Sequence, residues 1–363
     1  MTSRAGNAPA APGDAPGALL QRLGFAVTWR CNLTCTHCLQ SDHAALDLDL
    51  GLFDRVLSQA KGTGLQVVGL TGGEAALHPD FARIVATIAA HGLHYTLTTN
   101  GTLLAPLLEA FCVLPPISMT VSLDGSHAYL HDRIRGPGAF EDAIRTIQVL
   151  ALAGLQIQIQ STLTTAMLPH LEEMAHLTQE LGANRLMLTR PVPSEGIIAQ
   201  GLYPAYADLL RAQRWTLDRA GADALPVQLS LGADLMRGPD ERPGLCSFLR
   251  GAEAFVDVQC RLTLCCQAAG VGPNNADVVA DLTQTPWPQA LAQWRATLAR
   301  YANLGEGVQQ QRCMDHYRCL LCLEAMGKLP PRDTGDAGWD GWWAPPEPRQ
   351  DEDNTLTDAA GSL

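Results

Sequence analysis

The stretch TWRCNLTCTHCLQ, Thr28 to Gln40, holds three cysteines, Cys31, Cys35 and Cys38, within eight residues and no fourth beside them. Three thiolates under-fill both a tetrahedral zinc site and a four-iron cluster, so whatever they hold must take a further ligand from elsewhere. His37 and His43 are the nearest nitrogen donors, and with either of them the triplet would make a zinc site. The stretch opens inside GFAVTW (24–29), an apolar run of strand length, so the thiols stand on the loop where a strand ends.

Five more runs of this kind follow: LQVVGL (65–70), LHYTLTT (93–99), ISMTVSL (117–123), LQIQIQS (155–161) and RLMLT (185–189). Each has strand length and apolar or alternating character. Helical runs lie between them, such as LGLFDRVLSQAKG (50–62), HPDFARIVATIAAHG (78–92), GAFEDAIRTIQVLALAG (138–154) and MLPHLEEMAHLTQELG (167–182), each closing on glycine. Six β/α units require right-handed parallel crossovers, so the fold class is α/β, a partial (β/α)6 TIM-like barrel. Chemistry in such sheets collects at the C-terminal strand ends, which is where the triplet falls.

Around this core, residues 1–18 read as a disordered Ala/Pro/Gly leader, 19–200 as the barrel, 201–242 as a helical connector, 243–330 as a smaller Cys-rich domain, and 331–363 as an acidic, Pro-rich tail in which Trp339, Trp342 and Trp343 could dock onto the body. A net charge of −12 without any Lys/Arg run argues against a nucleic-acid surface. No apolar run reaches the roughly 20 residues of a membrane helix, and the start lacks a secretory signal core. The expectation is a cytoplasmic protein whose 11 cysteines stay reduced and available as ligands. Cys112, alone in LEAFCVLPP, reads as a small buried apolar residue.

The C-x3-C-x2-C spacing after the first strand resembles the signature of the radical S-adenosylmethionine (SAM) superfamily, with His37 where that family usually has an aromatic residue. LTGGEAALHPDF (70–81) resembles its GGE motif, and TTNG (98–101) and VSLDG (121–125) end the third and fourth strands as in family members. The resemblance implies a [4Fe–4S] cluster on Cys31, Cys35 and Cys38, whose open iron is chelated by SAM. Reductive cleavage then gives a 5′-deoxyadenosyl radical that abstracts a substrate hydrogen. It further implies that Gly72 and Gly73 let the backbone approach the ligand, that Glu74 accepts from the SAM ammonium, that Ser122 and Asp124 stand near the methionyl or ribose groups, and that Arg135, in HDRIRG, pairs with the SAM carboxylate.

Seven further cysteines lie between Cys246 and Cys322. Cys246-x18-Cys265 followed by Cys319-x2-Cys322 resembles a twitch domain, a shortened SPASM domain, which implies one auxiliary [4Fe–4S] cluster on Cys246, Cys265, Cys319 and Cys322. Cys266 competes with Cys265, and Cys260 and Cys313 are spares or ligands. Gln310 stands where a complete SPASM run would have its first cysteine. Zinc is the alternative metal here too. The auxiliary cluster is expected to accept an electron from a substrate radical.

Relatives with such domains imply a peptide or protein substrate, with maturation of a ribosomally synthesised peptide first and an aminoglycoside- or sugar-type dehydrogenase or epimerase second. A non-catalytic zinc scaffold is the reading from another class. The few residues ahead of the barrel leave no room for a fused leader-binding domain, so a peptide substrate is expected to need either a separate recognition protein or direct docking, along with an electron donor such as flavodoxin or ferredoxin. No residue stands out as the acid or base acting on the substrate; His127, His131 and Glu195, near strand ends, read as surface or packing residues.

Overall fold

The computed structural model describes residues 19–40, 44–221, 228–231, 246–271, 274–302, 304 and 318–328. The leader 1–18, the tail with its three tryptophans, His43, Gln310 and Cys313 lie outside the described residues.

Strands and helices alternate from the start: β1 (Arg22–Thr28), α1 (Leu50–Ala60), β2 (Val67–Gly72), α2 (Phe81–Ala90), β3 (His94–Thr99), α3 (Leu104–Val113), β4 (Ser118–Ser122), α4 (Ala128–Arg135), α5 (Ala139–Leu152), β5 (Ile157–Thr162), α6 (Leu171–Glu180), β6 (Arg185–Thr189), α7 (Glu195–Ala199), α8 (Tyr206–Gly221) and β7 (Gln228–Leu231). Three strands, β8 (Glu253–Val256), β9 (Arg261–Thr263) and β10 (Val278–Asp281), and two helices, α9 (Trp287–Ala302) and α10 (Arg318–Ala325), complete the described chain.

All ten strands form one sheet in the order β10-β9-β8-β1-β2-β3-β4-β5-β6-β7. Every pairing from β8 through β1 to β7 is parallel, and β9 alone is reversed, pairing antiparallel with both β8 and β10. The six expected strands are present with shifted ends, and the partial-barrel expectation holds. Two features differ from the sequence reading. The segment read as a helical connector also contains a strand, β7, which extends the sheet beside β6. The Cys-rich segment adds β8 to the other flank of the same sheet, beside β1.

The period-2 pattern explains why the sheet curls around a polar interior. Leu70, Leu97, Val121, Ile159 and Leu188, on β2 to β6, are buried in the main apolar core. Their neighbours Thr71, Thr98, Ser122, Gln160 and Thr189 face the other way and line a cavity at the C-terminal strand ends. The helices cover the outer face; α1, for example, buries Phe53, Val56, Leu57 and Ala60. The α3 helix buries only Leu107 and Ala110, which puts Cys112 on its outer face. Cys112 is therefore exposed, correcting its reading as a core residue.

The C-terminal segment is fastened to the barrel by α9, which buries Trp287, Ala290, Leu291, Trp294 and Leu298. The Trp287 amide donates to Gln59 Oε1 (2.9 Å), Arg55 donates to the Leu282 carbonyl (2.8 Å), and Trp294 Nε1 donates to the Thr263 carbonyl on β9 (3.2 Å). Trp294 is fully buried, so Trp294→Ala removes both a large apolar contact and this bond. We expect a loss of about 3–5 kcal/mol in denaturant unfolding monitored by circular dichroism. A loss below about 1 kcal/mol would show that α9 does not anchor the β8–β10 strands.

Candidate functional site

Cys31, Cys35 and Cys38 line a cavity of about 320 Å³, together with the ring of inward Thr, Ser and Gln residues, Gly72, Gly73, Asn100, Arg135 and Arg190. The loop that carries the thiols is tied down on several sides. Thr28 Oγ1 donates to Asp47 (2.6 Å) and accepts from the Arg30 amide (3.1 Å), while Arg30 Nε reaches Asp47 at 3.0 Å. The Gly73 amide donates to the Thr28 carbonyl (2.8 Å), the Glu74 amide to the Arg30 carbonyl (2.7 Å), and the Thr36 amide to the Ile134 carbonyl (2.8 Å). The two glycines make room for this crossing. A Cβ on Gly72 would stand 2.3 Å from the Thr28 carbonyl oxygen, and one on Gly73 2.3 Å from that of Arg30. Their lack of side chains is demanded first by the protein's own cysteine loop, and only then by any molecule in the cavity.

Glu74 is buried behind the cavity wall rather than on it. Its Oε1 accepts from Thr99 Oγ1 (2.8 Å) and the Ala76 amide (3.3 Å), and Oε2 accepts from the Asn100 amide (2.7 Å). Burial raises its pKa, and the Asn100 amide, Thr99 hydroxyl and Ala76 amide work against that rise. This carboxylate joins the GGE turn to the TTNG turn. Asn100 continues the link by donating to Asn32 on the cysteine loop (2.9 Å).

Asp124 has the same hidden position. It is fully buried, its Oδ2 accepts from Arg135 Nε at 2.6 Å, and its Oδ1 accepts from the Thr162 amide at 2.8 Å. Burial alone would raise its pKa, but Arg135 above all, then His37, His131 and the Thr162 amide, outweigh it and hold the carboxylate at about 2. It is an anion at every physiological pH, and its negative charge in turn raises the Arg135 pKa against the effect of burial. Arg135 Nη1 lies 3.9 Å from Cys35 Sγ. His131 accepts from the Asp124 amide through Nδ1 (3.0 Å), and burial, aided by Arg135, brings its pKa down to about 4, so it is neutral at pH 7. Ser122 and Arg135 line the cavity, while Asp124 positions Arg135 from behind.

Burial raises the pKa of all three thiols, that of Cys35 to about 11, although Arg135 opposes the rise at Cys35 and Cys38. His37 Nε2 faces Asp124 Oδ2 at 3.7 Å. Among the described residues, the triplet does not bring three ligand atoms within 4.8 Å of one another. A tetrahedral zinc, with Zn–S near 2.3 Å, needs its sulfurs about 3.8 Å apart. Thiolates are soft donors of the kind that hold iron–sulfur clusters and zinc.

A second, small apolar pocket of about 20 Å³ is lined by the four cysteines that the twitch-domain resemblance implies, Cys246, Cys265, Cys319 and Cys322, with Phe248, Leu264 and Met326 among its walls. Cys319 and Cys322, one helical turn apart on α10, share a face. Burial and the neighbouring Cys266, Cys246 and Cys322 push the Cys265 thiol well up. These sulfurs too are spread beyond the single-ion spacing. Cys266 points the other way and lines the large cavity. Gln267 touches both pockets, so one stretch of backbone, 265–267, separates them. Cys260 occupies a tight turn with φ +61° and lies outside both linings. Arg190, Gln160 and Thr189 were not anticipated; the alternation in strands five and six was the signal for the last two.

Residues 26–181 match the radical SAM superfamily model. The mycofactocin maturase MftC of Mycobacterium tuberculosis is 32% identical over 176 residues, 47% of this chain and 45% of that protein. The AdoMet-dependent heme synthase of Methanosarcina barkeri is 32% identical over 166 residues, 44% of this chain and 48% of that protein. This chain therefore spans about half the length of the curated relatives it matches. In fold it is similar to Streptococcus suis SuiB, solved bound to its precursor peptide SuiA, with a TM-score of 0.60 at 17% identity over 76% of this chain and 64% of SuiB.

The two faces of the 265–267 stretch make opposite predictions for adjacent cysteines. After anaerobic iron and sulfide loading, Cys265→Ala should hold about four irons per chain fewer than the parent, and Cys266→Ala should lose none. Elemental analysis with the reverse pattern would assign the second set of thiols wrongly.

Proposed function

Starting from the premise that this chain carries a radical SAM domain over residues 26–181, we propose that it is an enzyme that uses S-adenosylmethionine to modify a ribosomally made peptide. The observation that carries the first half of this reading is the cage of three thiols on the wall of a polar cavity at the strand ends. Cys31, Cys35 and Cys38 would hold a [4Fe–4S] cluster with one iron left for SAM, and Cys246, Cys265, Cys319 and Cys322 an auxiliary cluster. When bound, these groups supply an electron and a 5′-deoxyadenosyl radical able to take a hydrogen atom from a substrate.

The roles of the protein's own residues follow from their positions. Arg135, held by Asp124 and 3.9 Å from Cys35, places a fixed cation beside the cysteine loop, suited to a ligand carboxylate. Ser122 and the backbone of Gly72 and Gly73 offer polar contacts on the same wall. Glu74 and Asp124 keep that wall in register. The buried cation of Arg190 faces the cavity from the end of β6, where it favours an anionic group. The turn at 265–267, which lines both pockets, would keep the auxiliary cluster close to the cavity, a short path for an electron leaving the substrate. Residues 19–200 would form the SAM-binding core and 243–330 the auxiliary unit.

The peptide half of the reading draws on MftC, a relative named as a maturase. The heme synthase, at the same identity, favours a second reading in which the substrate is a small molecule. In either case an external one-electron donor such as flavodoxin is needed. A cytoplasmic location would suit such chemistry, and no described helix is long and apolar enough to cross a membrane.

The test is anaerobic incubation of cluster-loaded protein with SAM and dithionite, followed by chromatographic assay of 5′-deoxyadenosine. The parent should release it and Cys31→Ala should release none. Equal yields from the two would end this reading.

A further inference from the structure

Away from the cavity, the rim of the barrel brings together three side chains that neither the fold nor the proposed chemistry uses. His127 is the residue before α4, at the end of the loop after β4. His170 is the residue before α6, and Glu173 lies in the first turn of that helix. One ligand atom from each lies within 4.8 Å of the other two, and among the described residues this is the only group of three metal-ligating side chains so spaced. This trio has the spacing of a single ion.

The trio is also held in place before any ion arrives. His170 Nδ1 lies 2.9 Å from Glu173 Oε2, and Ser126 Oγ donates to the same oxygen at 2.9 Å. The two imidazoles meet edge to face, with ring centroids 5.5 Å apart and planes 73° apart. Ser126 fixes the orientation of the carboxylate, as outer partners of metal ligands do.

We propose that His127, His170 and Glu173 form a site for one divalent transition ion of the zinc class. Two imidazoles and one carboxylate are a borderline donor set that suits Zn²⁺ or Ni²⁺ and not the oxygen-seeking Ca²⁺ or Mg²⁺. With three protein ligands a tetrahedral ion keeps one position for water. His127 is exposed, so that position faces solvent at the rim. The consequence reaches the interior through α4. Its first end would be pinned to α6 by the ion, and further along the same helix stand His131 and Arg135, both bonded to Asp124. The ion would brace the helix that delivers Arg135 to Cys35. This inference stands apart from the SAM reading and survives its failure.

The test uses the untagged full chain with its clusters already loaded, so that the cysteines are occupied and excess iron has been removed. Zn²⁺ alone is the probe, in equilibrium dialysis read by elemental mass spectrometry, with thermal unfolding in parallel. The parent should bind one zinc per chain more than His127→Ala or His170→Gln, and zinc should raise the melting temperature of the parent only. Each variant should bind this ion at least about tenfold more weakly, and Glu173→Gln should weaken it too. A far-UV circular dichroism spectrum equal to the parent's confirms that a variant is folded. Zinc uptake and thermal shift equal in the parent and both histidine variants, or no such ion in the parent, would overturn the proposal.

Discussion

A single buried ion pair governs the geometry of this protein's centre. Asp124 and Arg135 meet at 2.6 Å with almost no access to water. The pair joins four pieces of chain: the end of β4, the last turn of α4, the Thr162 amide at the end of β5, and the cysteine loop through Cys35. Removing one member would strand the other's charge in the interior, which costs about 3–5 kcal/mol. Such a pair is weak evidence for stability, but strong evidence for position. It fixes where a cation stands beside three sulfurs that are gathered by a flexible type of structure, a loop.

The same economy of position appears in the wall between the two thiol sets. Past the end of β9 the chain enters a turn, closed by the Ala269 amide donating to the Cys265 carbonyl, and Cys265 and Cys266 open onto different pockets. A metal group in the small pocket would sit one backbone thickness from a substrate in the large one. The β8 strand makes this possible by pairing with β1, the strand that leads into the cysteine loop. The Cys-rich segment is thereby built onto the same sheet as the site it serves.

Much of this was legible in the sequence because it rests on local rules. Period-2 runs marked β1 to β6, glycines marked helix ends, and the triplet after the first strand marked the mouth. The four cysteines around the small pocket were named through the resemblance to a twitch domain. What was not legible depends on the tertiary arrangement. Whether Glu74 and Asp124 face a ligand or stand behind the wall is decided by Thr99, Asn100, Thr162 and Arg135, which come from other strands and helices. Cys112 was misread because α3 is apolar nearly all round and its buried face is narrow. The β7 strand, of only four residues, was hidden in a segment whose stronger signal is the helix α8. His127 and His170 are 43 residues apart and carry no motif; only the packing of two neighbouring loops makes them a pair.

The central claim is that the three N-terminal thiols hold an iron–sulfur cluster whose remaining position takes SAM. The most direct measurement is electron paramagnetic resonance of the reduced Cys265→Ala protein, in which only the N-terminal cluster should remain, with and without SAM. The account predicts the signal of one reduced [4Fe–4S] cluster, with g values that shift when SAM is added. A spectrum indifferent to SAM, or a protein carrying zinc and no iron, would contradict it.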